Sequence, residues 1–478
     1  MARSSTSFLA VLGALAAACG PTVIVTGEAA DSTGAGAASG AGPVNGAGAT
    51  SGAGPNGGAG AASSGGGAGA GMPGPPRWAE AFGADGQQHL RGLASSPTGD
   101  LFLTGSFDGT LSFGAAPLAQ AGPRSGYVAK LDAAGKAVWA RALTGSDCAS
   151  AAVAADPLGD LLVTGSVQGA LKVGGTAAGK GDGIFVLRLD AGGGLVWAAT
   201  FGTSAGPQPD RGIGVAVTPA GTVVVTGAFH GAVDFGGGPL DGGSGSVFAV
   251  ALDAAAHHLW SRRFDGVEAF VAAGAAGHVL VAINGAGGVM TAVDLDAAGA
   301  PGWSHSYPSG SFRAVAANAA GDALFTGLAT GVDFGGGALP DPLPNGQAFV
   351  VALDPLGHHL WSLGLPFDKH QSAGVALTVT SAGHPAVTGS YVHALASSAV
   401  MQSTFLVELD AGGAPVKSET FGPIDGIADG VSQEGWGLAP AAAGGLYVAG
   451  DFYGAIDVAG QTLAGAGSAD IFVARLPP

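Results

Sequence analysis

Asp85, Asp147, Asp210, Asp265, Asp368, Asp425 and Asp429 each lie in the short segment that follows a recurring tryptophan-led phrase. Segments that recur in this way around a closed ring would bring their carboxylates to one rim. Several oxygen ligands together suit Ca²⁺, so the sharp reading is a cation-attracting rim. The plain reading is that Asp favours loops and keeps a surface soluble. The equivalent segment from Ser306 to Phe312 carries no acid.

Other residues capable of chemistry read more simply. His257-His258 and His358-His359 follow the same tight turn in two different repeats. Neighbours on a strand point to opposite faces, so neither pair shares an ion easily; both read as solvated turn histidines. The runs DFGGG at 234–238 and 333–337 look like phosphate loops, but they open no helix and carry no Lys, so they read as turns. Nucleophile elbow, HExxH and EF-hand spacings are absent, and no residue is assigned a catalytic role. Two cysteines occur, too few for a disulfide framework. Cys148 reads as an unpaired thiol in a loop.

Composition narrows the classes further. Of 478 residues 90 are Gly, and only 11% are charged. A coiled coil would be rich in Glu, Lys and Leu, and collagen would keep a strict Gly-X-Y period; neither pattern is present. Lys and Arg number 17 against 34 acids, a net charge of −17. Phosphate backbones need clustered bases, so nucleic acid is not expected as a partner.

Residues 1–19 read MARSSTSFLAVLGALAAAC. Arg3 supplies a positive start, and Phe8 to Ala18 form an apolar run too short to span a bilayer. The segment resembles a bacterial lipoprotein signal, with Leu15-Ala16-Ala17-Ala18-Cys19 in the place of the lipobox. Ala16 stands where that family prefers Leu. The resemblance implies cleavage before Cys19, lipidation of that residue, and attachment to a membrane through the lipid. The alternative is ordinary secretion. Residues 20–77 hold 19 glycines among Ala, Ser and Pro. They bury too little to offset ordering entropy and read as a flexible linker with a mean reach of about 40 Å.

Residues 78–478 repeat. One phrase is an apolar strand ending in Leu-Asp, a turn, and a strand opening with Trp: YVAKLDAAGKAVW (127–139), FVLRLDAGGGLVW (185–197), FAVALDAAAHHLW (248–260), TAVDLDAAGAPGW (291–303) and FVVALDPLGHHLW (349–361). FLVELDAGGAPVK (405–417) puts Lys417 in the Trp position, and FVARLPP (472–478) stops at the turn. A second phrase lies between these, as in GDLFLTGSF (99–107) and GTVVVTGAF (221–229). Each phrase occurs seven times. Asp132 to Asp190 spans 58 residues and Asp253 to Asp296 only 43, so the fourth repeat is short. β-branched and aromatic runs punctuated by Gly, Pro and Asp read as four strands per repeat. Seven such units predict an all-β, seven-bladed β-propeller. The orphan strand from Trp78 to Phe82 is expected to complete the last blade and close the ring. The turn Asp, the Trp and the Thr-Gly pairs (Thr104, Thr164, Thr226, Thr326, Thr388) are expected, respectively, to stabilise turns, to pack between blades, and to let backbones approach or mark a bulge.

The FVAxLD-turn-W and VTG phrases resemble the bacterial seven-bladed propeller (SBBP-type) repeat family. That resemblance implies the fold and leaves the activity open. Together these readings predict an exported, lipid-anchored cell-envelope module, at the outer membrane or cell surface, that binds an envelope protein or glycan without catalysis. The alternative is an envelope hydrolase or lyase using carboxylates at the channel mouth. No cofactor is required, and Ca²⁺ is the candidate ion.

Overall fold

The computed structural model describes residues 77–478 apart from 115, 203–208, 340–345, 366, 368–370, 395–399, 424–432, 459 and 467. The signal segment with Cys19, the linker up to residue 76, and Asp368, Asp425 and Asp429 lie outside the described residues.

Seven antiparallel sheets form the blades. Blade 1 runs Gln88–Ser95, Leu101–Phe107, Ser125–Leu131 and Ala137–Thr144, with the Trp strand outermost. Blades 2 to 6 repeat that order, starting at Asp147, Arg211, Glu268, Gly310 and Ser372. The seven first strands contact one another in a closed circle, blade 7 meeting blade 1. Closure is a strand exchange between the chain ends. Trp78–Phe82 pairs antiparallel with the last strand, Trp78 opposite Arg475 and Phe82 opposite Ile471, and becomes the outer strand of blade 7. No edge of the ring remains open there.

The core lies between blades. Leu162, Ile184 and Val186 of blade 2 form one cluster with Val215, Val225 and Val250 of blade 3. In six blades the third strand carries an aromatic at the same place (Tyr127, Phe185, Phe248, Phe349, Phe405, Phe472), and each is completely buried. Each such side chain contributes about 1.5–3 kcal/mol.

The recurring Asp and Trp hold neighbouring blades together. The Oδ1 of Asp132, Asp190, Asp253, Asp296, Asp354 and Asp410 accepts the backbone N–H groups two and four residues on, at 2.8–2.9 Å. The turn so fixed presents one carbonyl to the preceding blade. Trp78, Trp139, Trp197, Trp260, Trp303 and Trp361 donate their indole N–H to that carbonyl, on Ala133, Ala191, Ala254, Ala297, Pro355 and Ala411, at 2.9–3.2 Å. Lys417 takes the same part in blade 6, its Nζ lying 2.8 Å from the Pro477 carbonyl. Left-handed Gly135, Gly193, Gly299, Gly357 and Gly413 lie under these rings, where a Cβ would overlap the indole.

The Thr-Gly pair marks a bulge. In six blades the first strand carries one extra residue: Arg91, Ala151, Ile213, Arg313, Val375 and Trp436. The bulge turns a first-strand carbonyl onto the Gly of the second strand. A Cβ at Gly105, Gly165, Gly227, Gly327 or Gly389 would collide with the carbonyl of His89, Ala149, Arg211, Ser311 or Ala373. Blade 4 has Ala282-Ile283 instead of Thr-Gly and pairs without a bulge. There Asn284 substitutes a side-chain clamp: its Oδ1 accepts the Phe312 N–H at 2.8 Å and its Nδ2 donates to the Phe312 carbonyl at 2.9 Å.

Between the second and third strands, blades 3 and 5 carry the DFGGG loops. Each Asp caps its own turn, Asp234 accepting from Gly236 and Gly238, and Asp333 from Gly335 and Gly337. Phe235 and Phe334 are buried against Phe248 and Phe349. The imidazoles of His258 and His359 lie against Gly237 and Gly336. The second histidine of each pair is therefore half-buried, bonded to Ser261 or Ser362, and not a solvated turn residue. His257 and His358 are exposed and pair with Asp253 and Asp354. Cys148 is also placed differently from expectation. It is buried in the first strand of blade 2, and burial pushes its thiol up to about 12.

Replacing Trp139 by Ala is expected to cost about 3–5 kcal/mol. Trp139→Phe keeps most of the packing, loses the bond to Ala191, and is expected to cost about 1 kcal/mol. Urea unfolding of the two variants checks both values. Gly227→Ala is expected to cost about 1–3 kcal/mol by overpacking against the Arg211 carbonyl, read in the same way.

Candidate functional site

Antiparallel strands put two kinds of connection on one face of the ring: the crossing from each outer strand to the next blade, and the link between second and third strands. The opposite face carries the Asp turns and Trp clasps. All the rim aspartates that are described belong to the first face, here called the loop face.

These four do not meet. Asp85 is exposed, and its main-chain carbonyl accepts from Thr110 and from Gln88 Nε2 at 3.1 Å. Asp147 is gripped by Arg124 through Nε at 3.2 Å and a terminal nitrogen at 3.0 Å. Asp210 is buried and accepts the His230 N–H at 2.8 Å. Asp265 stands in solvent beside Arg263. Among the described residues no group of three or more His, Cys, Asp or Glu is close enough to hold a metal ion.

The loop-face ends of the first strands hold a different set of groups, which sequence reasoning missed. At blades 7 and 1, the Arg91 guanidinium lies 4.6 Å from the Trp436 ring centre. Both are bulge residues, re-aimed by the extra residue in their strands. Asp451 accepts the Leu90 N–H at 2.7 Å, lies 3.0 Å from His89 Nδ1 and lies 3.5 Å from Arg91. At blades 3 to 5, Arg211, Glu268 and Arg313 come from consecutive first strands. Glu268 is only 8% exposed and faces Asn284 Nδ2 at 3.4 Å. Burial raises its carboxyl above the ordinary glutamate range, against the opposing pull of Arg313, the Asn284 amide and Arg211. The one signal in the sequence was the sparseness of charge: in a chain with 17 Lys and Arg, three arginines in first strands are conspicuous once those strands are aligned.

A cavity of about 270 Å³ opens on the turn face between blades 3 and 4, lined by Thr218, Pro219, Thr222, Trp260, Val279 and their neighbours. No titratable group lines it.

No family model and no curated protein matches the chain. Solved structures do. A protein of unknown function from Dyadobacter fermentans is 11% identical, with 84% of this chain and 99% of that one covered and a TM-score of 0.41. The Dos1 propeller is 9% identical over 83% and 94%, TM-score 0.41. The C-terminal WD40 domain of Sif2 is 9% identical over 83% and 99%, TM-score 0.41. At such identities the likeness concerns fold alone. This chain is a seven-bladed β-propeller by its own sheet order and ring closure.

The raised Glu268 carboxyl has a consequence for stability. The folded protein keeps that proton to a higher pH than the unfolded chain does. Stability therefore falls as pH rises from the ordinary glutamate pKa to the raised folded value. Glu268→Gln is expected to remove that fall, measured as the urea midpoint across a pH series.

Proposed function

We propose that the protein is an exported, lipid-anchored recognition module of the cell envelope, of the SBBP-type repeat kind, that binds an envelope protein or glycan through its loop face without catalysis. One observation carries the binding reading. The turn face repeats the same Asp turn and Trp clasp from blade to blade, as structural parts do. The loop face differs from blade to blade and gathers Arg91, Trp436, His89 and Asp451 on one side and Arg211, Glu268 and Arg313 on the other. Varied side chains on a rigid frame are what recognition requires. Export and anchoring rest on the signal-like residues 1–19 and Cys19, and the glycine-rich linker would hold the propeller away from the membrane.

The hydrolase or lyase reading finds one of its requirements, a carboxyl raised by burial. The neighbours that act on Glu268 are two arginines and an amide, whereas acid–base hydrolysis of glycosides needs a second carboxyl at a defined separation. Asp451 is engaged with His89, Arg91 and a backbone N–H. The geometry therefore favours binding. The Ca²⁺ rim rests on Asp85 and Asp265 together with Asp368, Asp425 and Asp429. A higher melting temperature in Ca²⁺ than in EDTA supports it, because a native-state ligand stabilises by mass action; an unchanged value removes it.

Cys19→Ser is expected to abolish labelled palmitate incorporation and move the protein from the membrane to the soluble fraction. Retention in the membrane would overturn the lipid anchor. On an array of envelope glycans and proteins, the double variant Arg91→Ala with Trp436→Ala is expected to lose capture. Leu158→Ser with Leu356→Ser, on the turn face, is expected to keep it. The reverse pattern would place binding on the other face.

A further inference from the structure

Blade 4 departs from its two neighbours in the ring in several ways that converge on one place. Its second-to-third connection is cut to residues 285–289, whereas blade 3 uses 230–245 and blade 5 uses 330–346. The neighbours' connections carry the Phe-bearing loops that pack against the sheets; blade 4 has none. Val267 and Val289 are left 52% and 41% exposed on this part of the loop face. The Val267 N–H bonds the Asn284 carbonyl and so ties the two segments, and the Gly285 N–H closes the short connection on the Val289 carbonyl, both 2.7 Å. Val267 leads directly into Glu268, so this apolar patch adjoins the charged group at the channel mouth.

The charged group is stratified. Glu268 lies underneath, almost fully buried. Arg211 and Arg313, from the flanking first strands, are half-buried and reach solvent. Both act electrostatically on Glu268, yet neither lies within ion-pair distance of a carboxylate among the described residues. Each guanidinium carries five N–H donors in a planar fork suited to carboxylate or phosphate. Two half-buried cations face one buried acid on a protein whose net charge is −17. Asn284 does not compete for a ligand, because its amide is held by Phe312.

We infer that the loop face at blade 4 is an anion-recognition site, in which Arg211 and Arg313 bind the carboxylate or phosphate of a ligand whose apolar part rests on Val267 and Val289. This deepens the binding-module reading and rests on it. Glu268, beneath the two guanidiniums, opposes a bound anion and weakens the site when ionised.

The test uses the full exported chain and calorimetric titration with glucuronate, inorganic phosphate and, as neutral control, glucose. Saturable binding of glucuronate or phosphate, with none of glucose, is expected; the anion that binds identifies the source of the charge. Arg211→Gln and Arg313→Gln are each expected to weaken it about tenfold, with circular dichroism showing the fold retained. Glu268→Gln leaves both arginines in place and is expected to tighten binding, an opposite change that a folding defect would not produce. Absence of binding by both anions, or binding indifferent to all three substitutions, overturns the inference. If the Arg91 and Trp436 double variant still loses array capture in that case, the inference fails alone. If capture also ignores that double variant, the loop-face reading fails with it.

Discussion

The ring stands on a single repeated contact, the clasp between the outer strand of one blade and the turn of the next. A four-stranded sheet with two apolar faces cannot bury both by itself. It must be covered on each side by a neighbour, and the neighbour must be held at a fixed angle. The indole does both, covering apolar surface with its ring and donating its N–H to a turn carbonyl. The turn can offer that carbonyl only because an aspartate ties two backbone N–H groups and a left-handed residue completes the bend. In blade 3 that residue is Ala256, with a φ of 68°, which shows how strongly the clasp imposes the conformation. Lys417 shows that the donated hydrogen bond is kept where the aromatic ring is not.

Closure follows from the same contact. Trp78 reaches Ala133 of blade 1 while its strand pairs with the chain's last strand. The first residues of the ring are thus tied at once to blade 7 and to blade 1. Blades 6 and 7 are joined by the Lys417 bond to Pro477. The two chain ends are consequently part of the load path between blades, and they emerge on the turn face.

Blade 4 illustrates how a repeat protein acquires a distinctive position. With Ile283 where the bulged blades have Gly, its first two strands pair without a bulge, and Asn284 adds an amide clamp on blade 5. Losing the long connection uncovered two valines. The clasp survived, through Trp260 to Ala297 and Trp303 to Pro355. Ring geometry is therefore preserved where the loop face changes, which is the separation of frame and surface that binding propellers need.

Recurrence made the local and repeated parts legible. Leu-Asp turns, Trp strands, the Thr-Gly pairs and the orphan Trp78 strand are read from recurrence, because each depends on residues within one repeat or at the same place in the next. Whatever depends on register and on neighbouring blades became visible only in the folded ring. Cys148 lies in a strand and not in a loop because the crossing into blade 2 is only a turn long. His258 and His359 are drawn in because a glycine of a distant loop makes room for them. The described rim aspartates share a face as the repeats predicted, but arginine, histidine and solvent claim them one by one. Arg211, Glu268 and Arg313 lie far apart in the chain and in no motif. Three adjacent first strands bring them together, a placement set by ring order and register and not by any local pattern.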